Sequence, residues 1–138
     1  MMIYGFTGTR RGMSDEQKYG LLRTLLADGG GSVFHHGDCV GADAEAHRIA
    51  RDARCIIFVH PPSVRKYRAF CIVASSPYIW KPKPYLQRNR DIVDICDVLI
   101  AAPYDDNRAN SGTWYTINYA KSKGKKIIIL ERSTDGNE

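Results

Sequence analysis

The chain has 138 residues, 43% hydrophobic and 25% charged, with a formal net charge of +5 and a pI near 9.1. That length fits one domain, residues 1–132 with a polar tail at 133–138, and such a domain can bury a core without disulfides or metals. No apolar run approaches the roughly 20 residues of a membrane span, and MMIYGFTGTRR lacks the charge order and cleavage-like site of a signal peptide, so no membrane partner and a cytoplasmic location are expected.

MIYGF (2–6) is an apolar run ending in glycine and reads as a buried strand. TGTRRGM follows as a loop. Ser14 and Gln17 stand at capping-box spacing, Leu21, Leu22, Leu25 and Leu26 repeat with helical period, and the glycines at 29–31 stop a helix over 14–28. SVFHHG gives a second strand. Ala42, Ala46, Ile49, Ala50 and Ala53 form the small face of a second helix that can lie close to a sheet. CIIFVH (55–60) is a third strand, ended by Pro61 and Pro62. Within 63–84, RAFCIVA has the composition of a short strand, whereas the prolines of SSPYIWKPKP exclude a helix. Helical period returns from Tyr85 to about Ile95. DVLIAAP (97–103) is a fourth strand, Asn110 to Lys123 a helix with Trp114, Ile117 and Ala120 on one side, and KIIIL (126–130) the last strand.

Strands and helices alternate, and near-continuous apolar strands imply burial on both faces. The expected fold is α/β: a Rossmann-like, doubly wound, mostly parallel five-stranded sheet with helices on both faces. Ligands of such sheets bind beyond the carboxyl ends of the strands. The segments there are GFTGTRRG, HHGDCVGAD, HPPSVRKY and the stretch from Pro103 to Thr113, and they hold the unusual chemistry.

In GFTGTRRG, small residues let backbone N–H groups approach an anion beside hydroxyls and two arginines. The spacing is neither GxGxxG nor a Walker motif. HHGDCVGAD turns on Gly37 and Gly41 into the second helix. Asp38 could cap that helix and Asp43 stabilise its first turn, but two carboxylates in one turn also suit a sugar hydroxyl or another donor. His35, His36 and Cys39 lack a second ligand pair at finger spacing, so no metal is expected, and strand alternation sends the two histidines to opposite faces. Arg88, Asn89 and Arg90 lie on a helix, where arginine forks match phosphate. In NSGTWYT, Asn110 or Ser111 caps the last helix, and Gly112 and Thr113 expose helix N–H groups. Residues 61–90 carry seven Lys and Arg residues and no Asp or Glu, interleaved with Tyr67, Phe70, Tyr78, Trp80 and Tyr85. This pattern suits a nucleotide or a single-stranded nucleic acid. The cysteines Cys39, Cys55, Cys71 and Cys96 form no CxxC and have no secretory context, so reduced thiols are expected.

Taken in order, GxTGxR (Gly5, Thr7, Gly8, Arg10), HGDxxGAD (Gly37, Asp38, Gly41, Ala42, Asp43), RN (Arg88, Asn89) and SGT (Ser111, Gly112, Thr113) resemble the SLOG superfamily, in particular its small YspA- and YpsA-related bacterial and phage members. The resemblance runs from residue 5 to 113. It implies a Rossmann-like fold and a pocket for a nucleotide or an ADP-ribose-like ligand, with no further cofactor, and it implies a homo-oligomer, for which Trp114, Tyr115 and Tyr119 offer aromatic surface. Relatives divide into LOG-type phosphoribohydrolases, single-strand DNA binders such as DprA, and nucleotide sensors. The LOG enzymes carry PGGxGTxxE. Here RANSGTWYT puts Thr116 at the glutamate's place, which counts against LOG-type hydrolysis unless Asp38 or Asp43 supplies the catalytic carboxylate. On this reading Gly8, Thr9, Arg10, Gly112 and Thr113 hold phosphate with Ser111 beside them, and Asp38 or Asp43 holds ribose on the turn built by Gly37 and Gly41. Arg88 and Asn89 close the site, and an aromatic from 67–85 covers the base.

Overall fold

In the computed structural model, residues 1–27, 29–73, 78–106 and 111–132 are described. The elements in chain order are β1 (Ile3–Gly8), α1 (Asp15–Leu26), β2 (Val33–His36), α2 (Ala42–Asp52), β3 (Ile56–Val59), α3 (Tyr85–Ile95), β4 (Val98–Ala102), α4 (Gly112–Ser122) and β5 (Lys126–Ile129). The strands form one sheet in the order β3-β2-β1-β4-β5, and every pairing is parallel. The order reverses at β1, so its neighbours β2 and β4 send their following loops to opposite sides of it.

Each element follows from local chemistry. Ser14 accepts the Gln17 N–H at 3.1 Å and the Gln17 side chain accepts the Ser14 N–H, so α1 opens on the capping box. The amide of Gln17, fully buried, then donates to the carbonyls of Pro103 and Leu130. One side chain thus fixes the start of α1 against the ends of β4 and β5. Ala42, Ala46 and Ala50 of α2 are buried with Tyr4, Phe6 and Phe34 and with Leu21 and Leu25 of α1. On the other face α3 and α4 bury Val93, Leu99 and Ala120, and Trp114 and Ile117 against Ala101. Burying large side chains on both faces is worth roughly 1.5–3 kcal/mol each, and this defines the layered core.

Two expectations are corrected. Trp114 is only 4% exposed and its indole N–H donates to the Asp105 carbonyl, so it offers no surface to a second copy. Tyr115 and Tyr119 remain at the surface, bound to Arg90 and Asp94. RAFCIVA forms no strand among its described residues. Only a one-residue bridge joins Arg68 to Cys39, and Phe70 has φ +56°, incompatible with an extended run. The tail at 133–138 and Asn110 lie outside the described residues. The N-cap of α4 is Ser111, which accepts the Trp114 N–H.

The crossover from β3 to α3 does the work of a helix. Tyr78 packs on Phe58, and Trp80 stacks on His60 at 4.2 Å, covering the part of the sheet that α3 and α4 leave open. Tyr78 and Trp80 also bond the edge of β3 through Val59. Beneath them His35 pairs with His60 at 2.8 Å, while His36 on the opposite face pairs with His47 of α2 at 3.0 Å. All four histidines of the chain are therefore internal.

Burial lowers His35 to about 4 and His60 to about 3, and holds His36 well below the usual 6.5. For a base with a depressed folded value, stability is complete above 6.5 and is lost as pH falls from there toward the folded value. The urea midpoint should hold above pH 7 and drop between pH 6.5 and 5, with His35 and His60 each costing about 2 kcal/mol over that interval. A profile flat from pH 7.5 to 5 would contradict neutral buried pairs.

Candidate functional site

Beyond the carboxyl ends of β1, β2 and β4 lies a cavity of about 490 Å³. It occupies the place where the strand order reverses, as the strand-end rule requires. Of the sequence-derived residues, the structure places Gly8, Thr9, Arg10, Gly37, Asp43, Arg88, Asn89, Ser111, Gly112 and Thr113 on its wall.

The first loop is pinned on both sides. Thr9 O accepts the N–H groups of Gly12 and Ala42, and Thr9 Oγ1 accepts that of Arg11. Glu45 of α2 accepts the Met13 N–H at 2.7 Å and meets Lys18 at 3.4 Å. Gly41 does not line the cavity. At φ +91° its missing side chain leaves room for the Arg10 backbone, so it shapes the wall from behind.

Asp38 is the main departure from the sequence reading. It is fully buried, outside the cavity, with φ +53°. Arg68 Nε donates to its Oδ2 at 3.0 Å, the Cys71 N–H donates to its Oδ1 at 2.8 Å, and its own carbonyl accepts the Ala69 N–H. Both carboxylate oxygens are engaged in holding the β3–α3 crossover, and Asp38 does not line the cavity.

Asp43, unlike Asp38, faces the cavity. Only 7% exposed, it accepts the Cys39 N–H at 3.2 Å. Burial pushes it up to about 6, against the opposing pull of the Arg88 guanidinium and two backbone N–H groups, with Asp38 pushing it further up. It therefore exchanges a proton close to neutrality. Arg88 is 5% exposed and donates to the carbonyls of Gly37 and His60, with Cys39 Sγ at 3.5 Å. A side chain at Gly37 would overlap that guanidinium, which explains the glycine. The Cys39 thiol is raised by burial and by Asp43, so it stays protonated.

Thr116, at the position of the LOG glutamate, does not reach the cavity. Its hydroxyl donates to Gly112 O at 2.8 Å and accepts from Asn89 Nδ2 at 2.9 Å. It orients Asn89, whose carbonyl oxygen has no partner among the described residues. The N–H groups of Gly112 and Thr113 open α4 toward the cavity.

Arg11, Cys39, Tyr104 and Asp105 also line the cavity and were not assigned to it from sequence. Arg11 and Cys39 lay inside motifs already marked. Tyr104 and Asp105 follow β4, where the strand-end rule pointed without naming them. Of the crossover aromatics, Tyr85 lines the cavity and Tyr67 holds Arg10, whereas Tyr78 and Trp80 are committed to packing. His36, His47 and Cys71 bring three possible metal ligands within 4.8 Å. The Asp38 N–H donates to His36 Nδ1, which places the His36 proton on Nε2, facing His47 Nδ1, and His47 in turn donates to Ile72 O. A metal there would have to displace that proton and break the chain.

No protein-family model and no curated protein sequence matches the chain. Solved structures do. The molybdenum cofactor binding protein from Rippkaea orientalis superposes with a TM-score of 0.69 at 20% identity, over 93% of this chain and 75% of that one. DNA processing protein A (DprA) from Streptococcus pneumoniae gives 0.72 at 16%, over 99% of this chain and 52% of that one, so the chain spans about half the pneumococcal protein. DprA from Helicobacter pylori, described for its single-stranded DNA binding mode, gives 0.64 at 19%, over 97% and 67%. The chain thus shares the Rossmann-like fold of these structures.

Two outcomes follow for the wall. Above pH 6 an ionised Asp43 is a buried charge whose folded value is raised, so it lowers stability there. Asp43→Asn should raise the unfolding free energy at pH 7.5 by about 1–3 kcal/mol and leave it nearly unchanged at pH 4. Arg88→Lys, lacking the planar guanidinium whose Nη1 donates to two carbonyls while Nη2 meets Cys39 Sγ, should cost about 2–3 kcal/mol by urea denaturation.

Proposed function

We propose that this protein binds a nucleotide or a nucleotide-derived, ADP-ribose-like ligand at the carboxyl ends of its strands, as a sensing or sequestering protein of the cytoplasm. One observation carries the reading. A single cavity sets anion-binding groups (the β1–α1 loop with Arg10 and Arg11, and the open N-terminus of α4) against a buried carboxylate, Asp43, on the facing wall. Phosphate suits the first wall, and a ribose hydroxyl or an amino group of a base suits the second. Tyr85 is placed to cover a planar group. The solved relatives, whose descriptions name a molybdenum cofactor or single-stranded DNA, support ligand or nucleic-acid binding in general and leave the ligand of this chain to experiment.

The state of Asp43 favours a second reading, N-glycosidic cleavage of a nucleoside monophosphate. A carboxyl group with a value of about 6 can give a proton to a departing base near neutral pH. Asp38 is committed to Arg68 and takes no part. A third reading, single-strand nucleic-acid binding through 61–90, draws on Phe70, which lies between the guanidinium groups of Arg65 and Arg68 at 5.0 and 4.4 Å. Self-association through the surface of α3 and α4 belongs to the same proposal.

A proton NMR time course with AMP, NAD and ADP-ribose separates these. Ligand line broadening without new peaks, lost in Asp43→Ala, is the expected result. Free base and ribose appearing with wild type and absent with Asp43→Ala would establish the glycosidase instead. No broadening by any of the three, together with a salt-dependent and length-dependent affinity for oligonucleotides, would replace the pocket reading by the nucleic-acid one.

A further inference from the structure

Arg10 and Arg11 are adjacent in sequence and diverge in space. The Arg10 guanidinium lies 4.0 Å above the ring of Tyr67, which belongs to the crossover and whose carbonyl accepts the Val40 N–H beside the β2–α2 loop. The Arg11 guanidinium lies 4.4 Å above the ring of Tyr104, which follows β4. Since β2 and β4 flank β1, the two cations stand on opposite sides of the loop that carries them. Both line the cavity, and neither forms an ion pair among the described residues. A second cation, Arg132, stacks on the other approach to Tyr104 at 4.5 Å and donates to Gly12 O, which fixes that tyrosine and the loop together.

We infer that the site takes a ligand with two anionic groups, a nucleoside diphosphate or a diphosphate-bridged derivative, in preference to a monophosphate. The inference rests on the nucleotide reading and narrows it. A single phosphate can be met by both guanidinium groups only if one leaves its tyrosine, which gives up a cation–π contact and frees a long side chain that must then be ordered again. Two phosphates let each arginine bind where its tyrosine already holds it. The space between them is supplied with further donors by Gly112 and Thr113 at the start of α4, and Asn89, 8% exposed with its carbonyl oxygen unpartnered, is poised for a donor on the ligand. The volume of about 490 Å³ lies within the range of small-molecule sites and leaves room for more than one phosphate and a nucleoside.

The test is titration calorimetry of the full chain with two pairs of probes, AMP with ADP and orthophosphate with pyrophosphate, at one ionic strength. The two-phosphate member of each pair is expected to bind at least about tenfold more tightly. Arg10→Gln and Arg11→Gln each remove one exposed cation without opening the core, and each should bring ADP close to the AMP affinity. An unchanged thermal midpoint will show that the variants fold. Equal affinities within both pairs would overturn the two-anion clamp and leave the nucleotide reading intact. A preference for pyrophosphate without binding of either nucleotide would keep the clamp and overturn the nucleotide reading. Failure of all four probes would overturn both.

Discussion

Everything at the carboxyl end of the sheet is arranged around one buried cation. The Arg88 guanidinium, delivered by α3, closes on the carbonyls of Gly37 and His60 and stands beside Cys39 and Asp43. It joins the ends of β2 and β3 to a helix that arrives from the far side of the sheet. A buried guanidinium is tolerable only when its donors are satisfied and a counter-charge is near. Gly37 must therefore lack a side chain, and the β2–α2 turn must take the shape that presents its carbonyl to the guanidinium. The cavity is the space left between this fixed cluster and the equally fixed loop after β1.

The fold was legible because its signals are local. Apolar runs, a capping box at Ser14 and Gln17 and glycine stops need only neighbouring residues to act, and the parallel sheet follows from their alternation. The wall of the cavity was legible for a different reason. Strand ends in an open sheet converge whatever the sequence between them, so marking the segments that follow strands marks the site. Distance in sequence is what hid the remainder. Nothing near Asp38 announces Arg68, thirty residues on, which takes its carboxylate. Nothing in RAFCIVA reveals that Phe70 must turn into the left-handed region to follow the surface. Trp114 reads as surface aromatic or core with equal ease until Asp105 is seen to accept its N–H.

Thr116 has a structural role of its own. A threonine in a helix interior can turn its hydroxyl back on the preceding turn, and Thr116 does so, becoming a bracket for Asn89. The only cavity carboxylates among the described residues are then Asp43 and Asp105, carried by different loops. Carboxylate chemistry at this site has to be organised from the β2 and β4 sides of the cavity, not from α4, whose lining residues Gly112 and Thr113 carry no charge.

The internal placement of every histidine bears on how the molecule reports on itself. Histidines usually dominate the titration of a protein between pH 5 and 8. Here burial lowers all four histidines, His35 to about 4 and His60 to about 3, and it raises all four cysteine thiols. The side-chain background near neutrality is thereby thinned of histidine and thiol, and Asp43, at about 6, stands out in it. A proton taken up or released on ligand binding close to pH 6 points first to that carboxyl group or to the ligand's own phosphate, and a ligand without a titrating phosphate separates the two.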